Sequence, residues 1–363
     1  MYLKSIQLIN FKNYTDVDYT FSAGINGIVG LNGVGKTNLL DAIHYLSMCK
    51  SYFNGLDQSN IYHTADFFAV HGTFEIEDGQ GIQKVSCIQK RDYKKIFKLN
   101  QKEYTRLSDH IGLFPSVMIS PYDSDYINGG SELRRKYFDS VISQYDKMYL
   151  DNLIQYNKVL LQRNVLLKQF AEKSFYDADA MSIWNEKLIL LGEEIYQKRK
   201  LFVNEFIPVF NLFFNQLSSK QEEVAIEYES QLHHNSLSQL IKEAERKDFQ
   251  VQYSTVGIHK DDFSFVMHQY PVKKFSSQGQ QKTFLISLKL AHYSYLKQIK
   301  RVKPLLLLDD VFDKLDDTRV EKLTAMVADR DFGQVFITHT QKKRMEELLH
   351  EAGVPYGLFE ICN

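Results

Sequence analysis

The stretch Gly30-Leu31-Asn32-Gly33-Val34-Gly35-Lys36-Thr37 decides the fold, because it matches the complete G-x-x-x-x-G-K-[ST] pattern of a phosphate-binding P-loop. A short apolar run over residues 25–29 precedes it as a strand would, and residues 38–43 follow with the apolar spacing of a helix. The alternative is a glycine-rich turn that happens to precede a helix, but a chance match to the whole pattern is rare. The sequence therefore predicts a site for a nucleoside triphosphate.

The chemistry of such a loop assigns roles to its residues. Successive backbone N–H groups turn inward as an anion nest at the positive end of a helix dipole. The Lys36 ammonium would reach the β- and γ-phosphates, and the Thr37 hydroxyl would ligate Mg²⁺. Positions 30 and 35 need glycine because side chains there would block the phosphates. The predicted nucleotide-binding residues of this segment are Gly30, Leu31, Asn32, Gly33, Val34, Gly35, Lys36, Thr37 and Asn38.

A second motif lies far along the chain. Leu305–Leu308 is an apolar run typical of a buried strand, and Asp309 and Asp310 follow it directly, as in a Walker B motif. Asp309 and Thr37 would be the Mg²⁺ ligands, and Asp310 stands where ABC-type ATPases carry a catalytic glutamate that polarises water. Because aspartate is one methylene shorter than glutamate, we expect slow turnover. The alternative is an acidic cap at a strand end.

Two further segments place these motifs in a recognisable order. Residues 275–282 (FSSQGQQK) open a helix whose first turn offers N–H groups to an anion. Residues 335–339 (VFITH) form a short strand ending in His339, predicted to contact the γ-phosphate. Taken singly, the first could be a solvated helix cap and the second a surface histidine. P-loop, signature helix, Walker B and strand-plus-histidine follow one another in this order in ABC-type ATPases.

The single copy of each motif predicts an oligomer. In ABC-type folds the signature helix completes the nucleotide site of a facing subunit, so Ser277, Gly279 and Gln280 are predicted to approach the partner's γ-phosphate. Two-fold pairing would then create two composite sites and a closed dimer. ATP bound between the subunits would favour the dimer, and hydrolysis would release it.

Several segments along the whole chain resemble the RecF family, bacterial DNA replication and repair proteins related to the heads of SMC proteins. The segments that carry the resemblance are 11–14 (FKNY), 35–40 (GKTNLL), 276–282 (SSQGQQK), 307–312 (LLDDVF), 133–139 (LRRKYFD), 162–164 (QRN) and 257–262 (GIHKDD). The sequence departs from the family pattern at residues 313–316 (DKLD), at Asp41 and at Ile258. The first departure concerns the loop between the two ATP sites.

The resemblance implies an ATP-dependent recombination mediator that binds DNA at single-strand gaps and at junctions of duplex and single-stranded DNA. It also implies Lys12 as a nucleotide contact, weak DNA-stimulated ATPase activity, RecR as a partner, RecO in the same pathway, a cytoplasmic location and a role in the SOS response. Two alternatives stay open, a transporter-type ABC ATPase subunit and an SMC-like structural clamp. The first is disfavoured because residues 119–123 contain no Q-loop glutamine, and the second because long heptad arms are absent.

Periodicity predicts the domain organisation. We expect an α/β fold in which an ABC-type P-loop ATPase head carries an N-terminal antiparallel β-subdomain and an inserted compact helical arm. The predicted boundaries are 1–128 and 255–363 for the head and 129–254 for the arm. Alternating patterns predict an antiparallel pair of strands at residues 3–10 and 16–21. Further strands are predicted at residues 67–76, 82–89, 95–99, 223–228 and 250–254, and a short apolar strand at 116–119.

Composition sets broader limits. The chain has 363 residues, 44% hydrophobic and 25% charged, with a net charge of −1, so any DNA surface must come from local patches. No apolar run approaches the ~20 residues of a membrane span, so no membrane partner is expected. The three cysteines lack metal-site spacing, which favours reduced thiols. Candidate basic patches contain Lys90, Arg91, Lys94, Lys95, Lys98 and Lys102, then Arg134–Lys136, Lys198–Lys200, Lys300, Arg301 and Lys303.

Overall fold

The computed structural model describes residues 1–76, 81–218, 222–313, 315–329, 331–351, 353 and 355–362. Strands in these ranges are β1 (Tyr2–Phe11), β2 (Tyr14–Thr20), β3 (Ile25–Val29), β4 (Phe67–Ile76), β5 (Gly81–Lys90), β6 (Ile96–Leu99), β7 (Lys102–Glu103), β8 (Ser116–Ile119), β9 (Val224–Glu229), β10 (Asp262–Met267), β11 (Tyr270–Pro271), β12 (Leu305–Leu308), β13 (Val335–His339) and β14 (Tyr356–Glu360). Helices are α1 (Lys36–Met48), α2 (Ser124–Asn128), α3 (Ser131–Ser143), α4 (Lys147–Lys173), α5 (Ala178–Leu217), α6 (Leu237–Val251), α7 (Val272–Phe275), α8 (Gln278–Lys300), α9 (Asp317–Ala328) and α10 (Lys342–Glu351). Lys314, part of the predicted departure from the family pattern, lies outside the described residues.

The chain divides into two compact units. The head unit contains Met1–Ser124, Leu212–Gln221 and Gln278–Asn363, and the arm unit contains Asp125–Asn211 and Glu222–Ser277. The expected domain boundaries at residues 129 and 254 stay a prediction. No helix in the described ranges combines the length and apolar character that crossing a bilayer requires.

A parallel sheet forms the centre of the head unit, with strand order β14-β3-β13-β12-β8. Strands β3, β8 and β12 are buried along their whole length, which explains why Leu305–Leu308 reads as a continuous apolar run rather than an alternating one. Because all the strands of this sheet run the same way, the residues that follow their carboxyl ends meet at one edge. Gly30, Asp309 and His339 all lie at that edge.

An antiparallel sheet with order β2-β1-β4-β5-β6-β7 forms the other layer of the head unit. Helix α1 contacts β1, β4 and β5 of this sheet and also β8 and β13 of the parallel sheet, so it lies between the two. This position explains why nearly every residue of α1 is buried. The P-loop helix is therefore part of the hydrophobic core and not a surface element.

The arm unit is mainly helical. Asp146 caps α4, because its carboxylate accepts the Tyr149 N–H at 2.9 Å. Helix α4 packs on α3 and α6, and α3 packs on β10 of a small sheet with order β11-β10-β9. The expected strand near residues 223–228 is present as β9, which pairs antiparallel with β10.

The strand expected at residues 250–254 is wrong, because residues 237–251 form helix α6. Ser236 caps this helix by accepting the Gln239 N–H at 3.2 Å, and Gln252 ends it in a left-handed conformation with φ 63°. Buried Leu237, Leu240, Ile241 and Ala244 share one helical face. Residues 250–254 include only the end of this helix, so the helical spacing of its apolar residues is not visible within them.

Candidate nucleotide-binding site

The P-loop leaves β3 at Gly30 and enters α1 at Lys36. Gly35 has φ 117°, and a Cβ there would lie 2.6 Å from the Asn13 Nδ2. A Cβ on Gly30 would lie 2.5 Å from the Ile361 carbonyl oxygen. Both positions therefore require glycine because neighbouring elements pack against the loop backbone. This reason adds to the expectation that side chains there would block the phosphates.

Lys36 is buried, and its ammonium group folds back onto the loop. Its Nζ donates to the Gly30 carbonyl at 2.8 Å and to the Leu31 carbonyl at 2.9 Å. The tip of the loop, Leu31 to Gly33, is exposed. The cation is thus already held beside the loop backbone whose N–H groups would form the anion nest.

Thr37 and Asp309 are in direct contact across 272 residues of sequence. The Thr37 hydroxyl lies 2.9 Å from Oδ1 and 3.0 Å from Oδ2 of Asp309. The Thr338 hydroxyl donates to the same Oδ1 at 3.0 Å and accepts the Asp310 N–H at 2.9 Å. Burial raises the pKa of Asp309 to about 6, although the two threonine hydrogen bonds oppose this shift.

This pair of oxygen ligands suits a hard cation. Within the described ranges no group of three or more His, Cys, Asp or Glu residues could form a metal cage. Mg²⁺ does not need one, since it usually keeps several waters and takes one or two protein oxygens. The Thr37 hydroxyl and the Asp309 carboxylate therefore fit Mg²⁺ by type and by proximity.

Asp310 lies two residues after β12, and His339 is the last residue of the neighbouring strand β13, at the same edge of the sheet. Asp310 has φ 43°, an uncommon conformation for a non-glycine residue, and it turns the chain sharply after β12. His339 pairs in register with Val29, the residue before the P-loop. The His339 Nδ1 lies 2.9 Å from the Gln341 backbone nitrogen and 3.1 Å from the Gln341 carbonyl oxygen.

The turn between β1 and β2 packs on the P-loop through Asn13, a residue that the sequence reasoning missed. The Asn13 Nδ2 donates to the Val34 carbonyl at 2.8 Å, and its Oδ1 accepts from the Asn38 side chain at 2.7 Å. Tyr14 donates to the Gly35 carbonyl at 3.0 Å. The only sequence signal for this contact was the position of Asn13 within the family segment 11–14.

Lys12, predicted as a nucleotide contact, is paired inside the head unit. Its Nζ lies 2.6 Å from the Asp41 Oδ2, and Asp41 is fully buried on α1. Asp41 was noted only as a departure from the family pattern, yet it also accepts hydrogen bonds from Ser51 and from the Tyr52 backbone. A nucleotide contact through Lys12 stays a prediction.

The predicted signature residues lie at the start of α8. Ser277 directly precedes the helix, and Gly279 and Gln280 belong to its first turn. The Gly279 carbonyl accepts from the Thr283 hydroxyl at 2.9 Å, and a Cβ on Gly279 would lie 3.2 Å from the Arg319 guanidinium. Their action on a partner's nucleotide stays a prediction.

Two of the candidate DNA patches each contain an arginine that is paired inside the arm unit, although Lys136, Lys198 and Lys200 beside them are exposed. Arg134 donates through two nitrogens to Asp262, each at 2.8 Å, and Arg199 is 1% exposed among Asp139, Asp261 and the Ile258 carbonyl. These arginines join the family segments 133–139 and 257–262 into one buried ionic network. Their charges are neutralised inside the unit, so neither is a good candidate for a DNA phosphate contact.

The basic patch around β5 to β7 divides in two. Lys95 is nearly buried. Its Nζ contacts the Asp57 carboxylate at 2.7 Å and, at 2.6 Å, the carbonyl of Cys49, the residue that caps the end of α1. Four other members of the patch are exposed, and three of them lie in the sequence within three residues of Tyr93, which is 73% exposed. The exposed basic residues here are Lys90, Arg91, Lys94 and Lys102. We call Lys90–Lys94 the basic turn.

Comparison with known proteins places this site in a family. The model of the RecF/RecN/SMC N terminal domain matches residues 2–359. A DNA replication and repair protein RecF from Bacteroides fragilis (strain YCH46) is 46% identical over 361 residues, covering 99% of this chain and 96% of that protein.

Solved structures agree with this assignment. A structure of the recombination mediator protein RecF-ATPrS in the RecFOR pathway matches with a TM-score of 0.86 and 33% identity, over 94% of this chain and 93% of that chain. An Smc head bound to the C-winged helix domain of ScpA matches with a TM-score of 0.57 and 16% identity, over 96% and 92%, which shows the fold alone. The expected ABC-type head fold is confirmed. The chain belongs to the RecF/RecN/SMC family and, within it, to the RecF group of DNA replication and repair proteins.

Proposed function

We propose that this chain is a recombination mediator that uses ATP as an assembly switch on DNA. The observation that carries the proposal is the contact of Thr37 with Asp309 at 2.9 Å, beside Lys36 in a complete P-loop. It unites two motifs from opposite ends of the chain at the carboxyl edge of a parallel sheet, where α/β folds bind their ligands. Related structures described as RecF-ATPrS and RecF-ATP support ATP as the nucleotide.

The site residues divide the work of binding and hydrolysis. Lys36 and the N–H groups of residues 30–38 hold the phosphates, and Thr37 and Asp309 hold Mg²⁺. When bound, the ion neutralises charge on the phosphates. Asp310 orients and polarises the attacking water, and the His339 Nε2–H donates to the γ-phosphate. The short Asp310 side chain makes the proposed ATPase slow, as suits a switch.

We further propose that two copies pair on ATP. Ser277, Gly279 and Gln280 at the start of α8 complete the site of the facing copy, and two-fold symmetry yields two such sites. The RecF resemblance also leads us to propose RecR as a partner, with RecO in the same pathway. On the same ground we propose that the protein acts at gaps and at junctions of duplex and single-stranded DNA. The RecFOR pathway named for the related structures supports this part.

The basic turn is the proposed DNA contact of the head unit. Lys90, Arg91 and Lys94 are exposed around Tyr93, and the Gln89 side chain holds the turn by donating to the Tyr93 carbonyl at 2.8 Å. Such a surface suits backbone phosphates, with the tyrosine ring available to stack on an unpaired base. This contact would supply affinity without sequence readout.

Multi-angle light scattering with ATP and Mg²⁺ tests the pairing. Wild type should shift from monomer to dimer, while Ser277→Arg should bind ATP normally and stay monomeric, because a bulky cation would occupy the contact with the partner's nucleotide. Ser182→Arg makes the same change on an exposed face of α5 and should dimerise like wild type. A Ser277→Arg protein that dimerises on ATP would contradict the composite site.

Binding to gapped duplex DNA over a range of salt tests the basic turn. Lys90→Glu/Lys94→Glu should weaken binding and make the salt dependence shallower, by about 0.9 in log–log slope for each lost phosphate contact on duplex. Lys168→Glu/Lys173→Glu makes the same charge change on exposed positions of α4 and should have little effect. Equal losses in both variants would show that net charge, not the basic turn, governs binding.

A further inference from the structure

A buried polar network includes residues 119–123, the segment that stands at the Q-loop position and contains no glutamine. The segment 119–123 begins at the last residue of β8. The Asp309 N–H donates to the Ile119 carbonyl at 2.8 Å, so the segment starts beside the Walker B carboxylate. Asp123 folds back on it, because its Oδ2 accepts the Ser120 N–H at 2.9 Å. The other carboxylate oxygen, Oδ1, accepts from the Tyr52 hydroxyl and faces the Lys289 ammonium at 3.0 Å.

Lys289 brings the signature helix into this network. It lies on α8, ten residues after Gly279, or about 15 Å along the helix axis. Its Nζ also contacts the Tyr52 hydroxyl at 2.7 Å and the Met118 carbonyl of β8 at 2.9 Å. Lys289 and Asp123 are each 2% exposed. Burying such a pair yields little stability by itself, so it suits a role in fixing one geometry.

The same network reaches the P-loop helix. The Tyr52 backbone N–H donates to the Asp41 Oδ1 at 2.7 Å, and Asp41 lies on α1 four residues after Thr37. Tyr52 also packs edge-on against His44 of α1, with ring centroids 5.1 Å apart. Tyr52 is therefore bonded through its backbone to the helix that follows the P-loop. Its hydroxyl is bonded to Asp123 and to Lys289, and Lys289 lies on the signature helix.

We propose that Tyr52, Asp123 and Lys289 are positioning residues that link the nucleotide site to the start of the signature helix. These contacts lie within the head unit and together join elements that are far apart in the sequence. The link sets the placement of α8 according to the state of the site, and so controls when Ser277 and Gly279 can engage a second copy. This inference rests on the proposed ATP-driven pairing.

The experiment compares wild type with three variants and measures ATP affinity, ATP-dependent dimerisation and the effect of ATP on amide hydrogen exchange. Asp123→Asn/Lys289→Met removes both buried charges while keeping side-chain size and an acceptor for the Ser120 N–H. It should bind ATP within about twofold of wild type and lose about tenfold in the ATP-dependent dimerisation constant, a typical size for coupling between sites. ATP should slow amide hydrogen exchange at residues 279–283 in wild type and have no such effect in the variant.

Arg163→Met/Asp248→Asn is the matched control, because it neutralises a pair of equal burial in the arm unit, with N to O at 2.7 Å. It should keep both ATP responses. Tyr52→Phe removes only the hydroxyl, is the variant least able to disturb folding, and should lose part of each response. Cooperative thermal unfolding of each variant establishes that it is folded.

The outcomes separate the two proposals. A wild-type protein that binds ATP without pairing overturns the proposed function and this inference with it. A wild-type protein that pairs, beside an Asp123→Asn/Lys289→Met protein that pairs equally well, overturns this inference alone. An equal loss in the control, or a loss of ATP binding itself, also overturns the inference, because the network would then only stabilise the fold.

Discussion

Asp309 illustrates how the charges of single residues are set at this site. Its carboxylate contacts two hydroxyls, Thr37 and Thr338, and the negative charge of Asp310 adds to burial in raising its pKa. Lys36 acts in the opposite direction. The ionisation of Asp309 is therefore set by burial, by two hydroxyl groups and by the charges of Asp310 and Lys36 at a single sheet edge.

Lys36→Ala should weaken ATP binding by about 100-fold, equivalent to about 3 kcal/mol, because the charge-assisted contacts to the phosphates are lost. The fold should persist, since only hydrogen bonds to the Gly30 and Leu31 carbonyls disappear. Isothermal titration calorimetry with ATP measures the affinity, and circular dichroism checks the fold. Lys158→Ala, at an exposed position of α4, is the control. Equal ATP affinity in wild type and a folded Lys36→Ala protein would refute the site.

Asp310→Asn should separate binding from hydrolysis. Asp309 and Thr37 remain as metal ligands, while water activation is lost, so hydrolysis should fall by about 100-fold or more. The ATP-bound dimer should accumulate as a result. Phosphate release and light scattering measure the two effects on one sample. Hydrolysis at the wild-type rate would mean that another residue activates the water.

At the scale of elements, the arm unit is organised around buried arginines. Arg199 on α5 contacts Asp139 of α3 at 2.9 Å and Asp261, just before β10, at 2.9 Å. The Tyr228 hydroxyl of β9 donates to Asp261 at 2.7 Å. Burial raises the pKa of Asp261 even with Arg199 opposing it, so the ionised carboxylate depends on its partners. One guanidinium thus connects two helices to the small sheet.

Arg199→Met should destabilise the arm unit by about 3–5 kcal/mol, because two carboxylates would lose the cation that compensates them in a buried site. Urea unfolding followed by circular dichroism measures the free energy of unfolding. Lys198→Met is the adjacent control, since Lys198 is half exposed and pairs with Asp146 at 2.6 Å. It should change stability by about 1 kcal/mol at most. Similar losses in the two variants would argue against a structural role for the network.

At the scale of the whole molecule, buried neutral histidines link stability to pH. Burial lowers the pKa of His110 in the head unit and of His259 in the arm unit to about 4 each, from an ordinary value of 6.5. The His110 Nε2 donates to the Leu46 carbonyl at 2.7 Å, and its Nδ1 faces the Tyr104 hydroxyl at 3.1 Å. Both nitrogens of the neutral ring are therefore satisfied, and protonation would add a buried charge.

The free energy of unfolding should be greatest above pH 6.5 and fall as the pH drops from 6.5 towards 4. The unfolded chain binds protons on these histidines in that window while the folded chain does not, at up to about 3 kcal/mol for each histidine. Asp309, whose pKa is raised to about 6, and Asp261, whose pKa is also raised, act in the opposite sense. Burial lowers the pKa of His44 to about 3 and also lowers that of His292, and both add to the trend of the other histidines. Urea unfolding between pH 7.5 and 4.5 measures the trend. His110→Gln should make it shallower, and an unchanged pH profile would contradict the assignment.

The sequence by itself determined the nucleotide-binding motifs, the buried strands beside them and the order of the elements that carry them. These features depend on short-range patterns, because the backbone of a P-loop and the apolar run of a buried strand are encoded within a few consecutive residues. The apolar run Leu305–Leu308 predicted β12, and residues 116–119 predicted β8, with the bounds that the structure has. The sequence also carried the family resemblance that the comparisons confirmed.

Only the tertiary structure decided which charged residues are internal. Nothing in the sequence distinguishes Arg134, Arg199 and Lys95 from exposed basic residues. The acidic partner of each lies dozens of residues away in the sequence, or farther. The partners Asp123 and Lys289 likewise lie far apart in the sequence. A long cationic side chain lies equally well in solvent or against a distant carboxylate, and chain packing alone selects between them. Local pattern therefore located the site, while long-range packing determined the contacts that hold it.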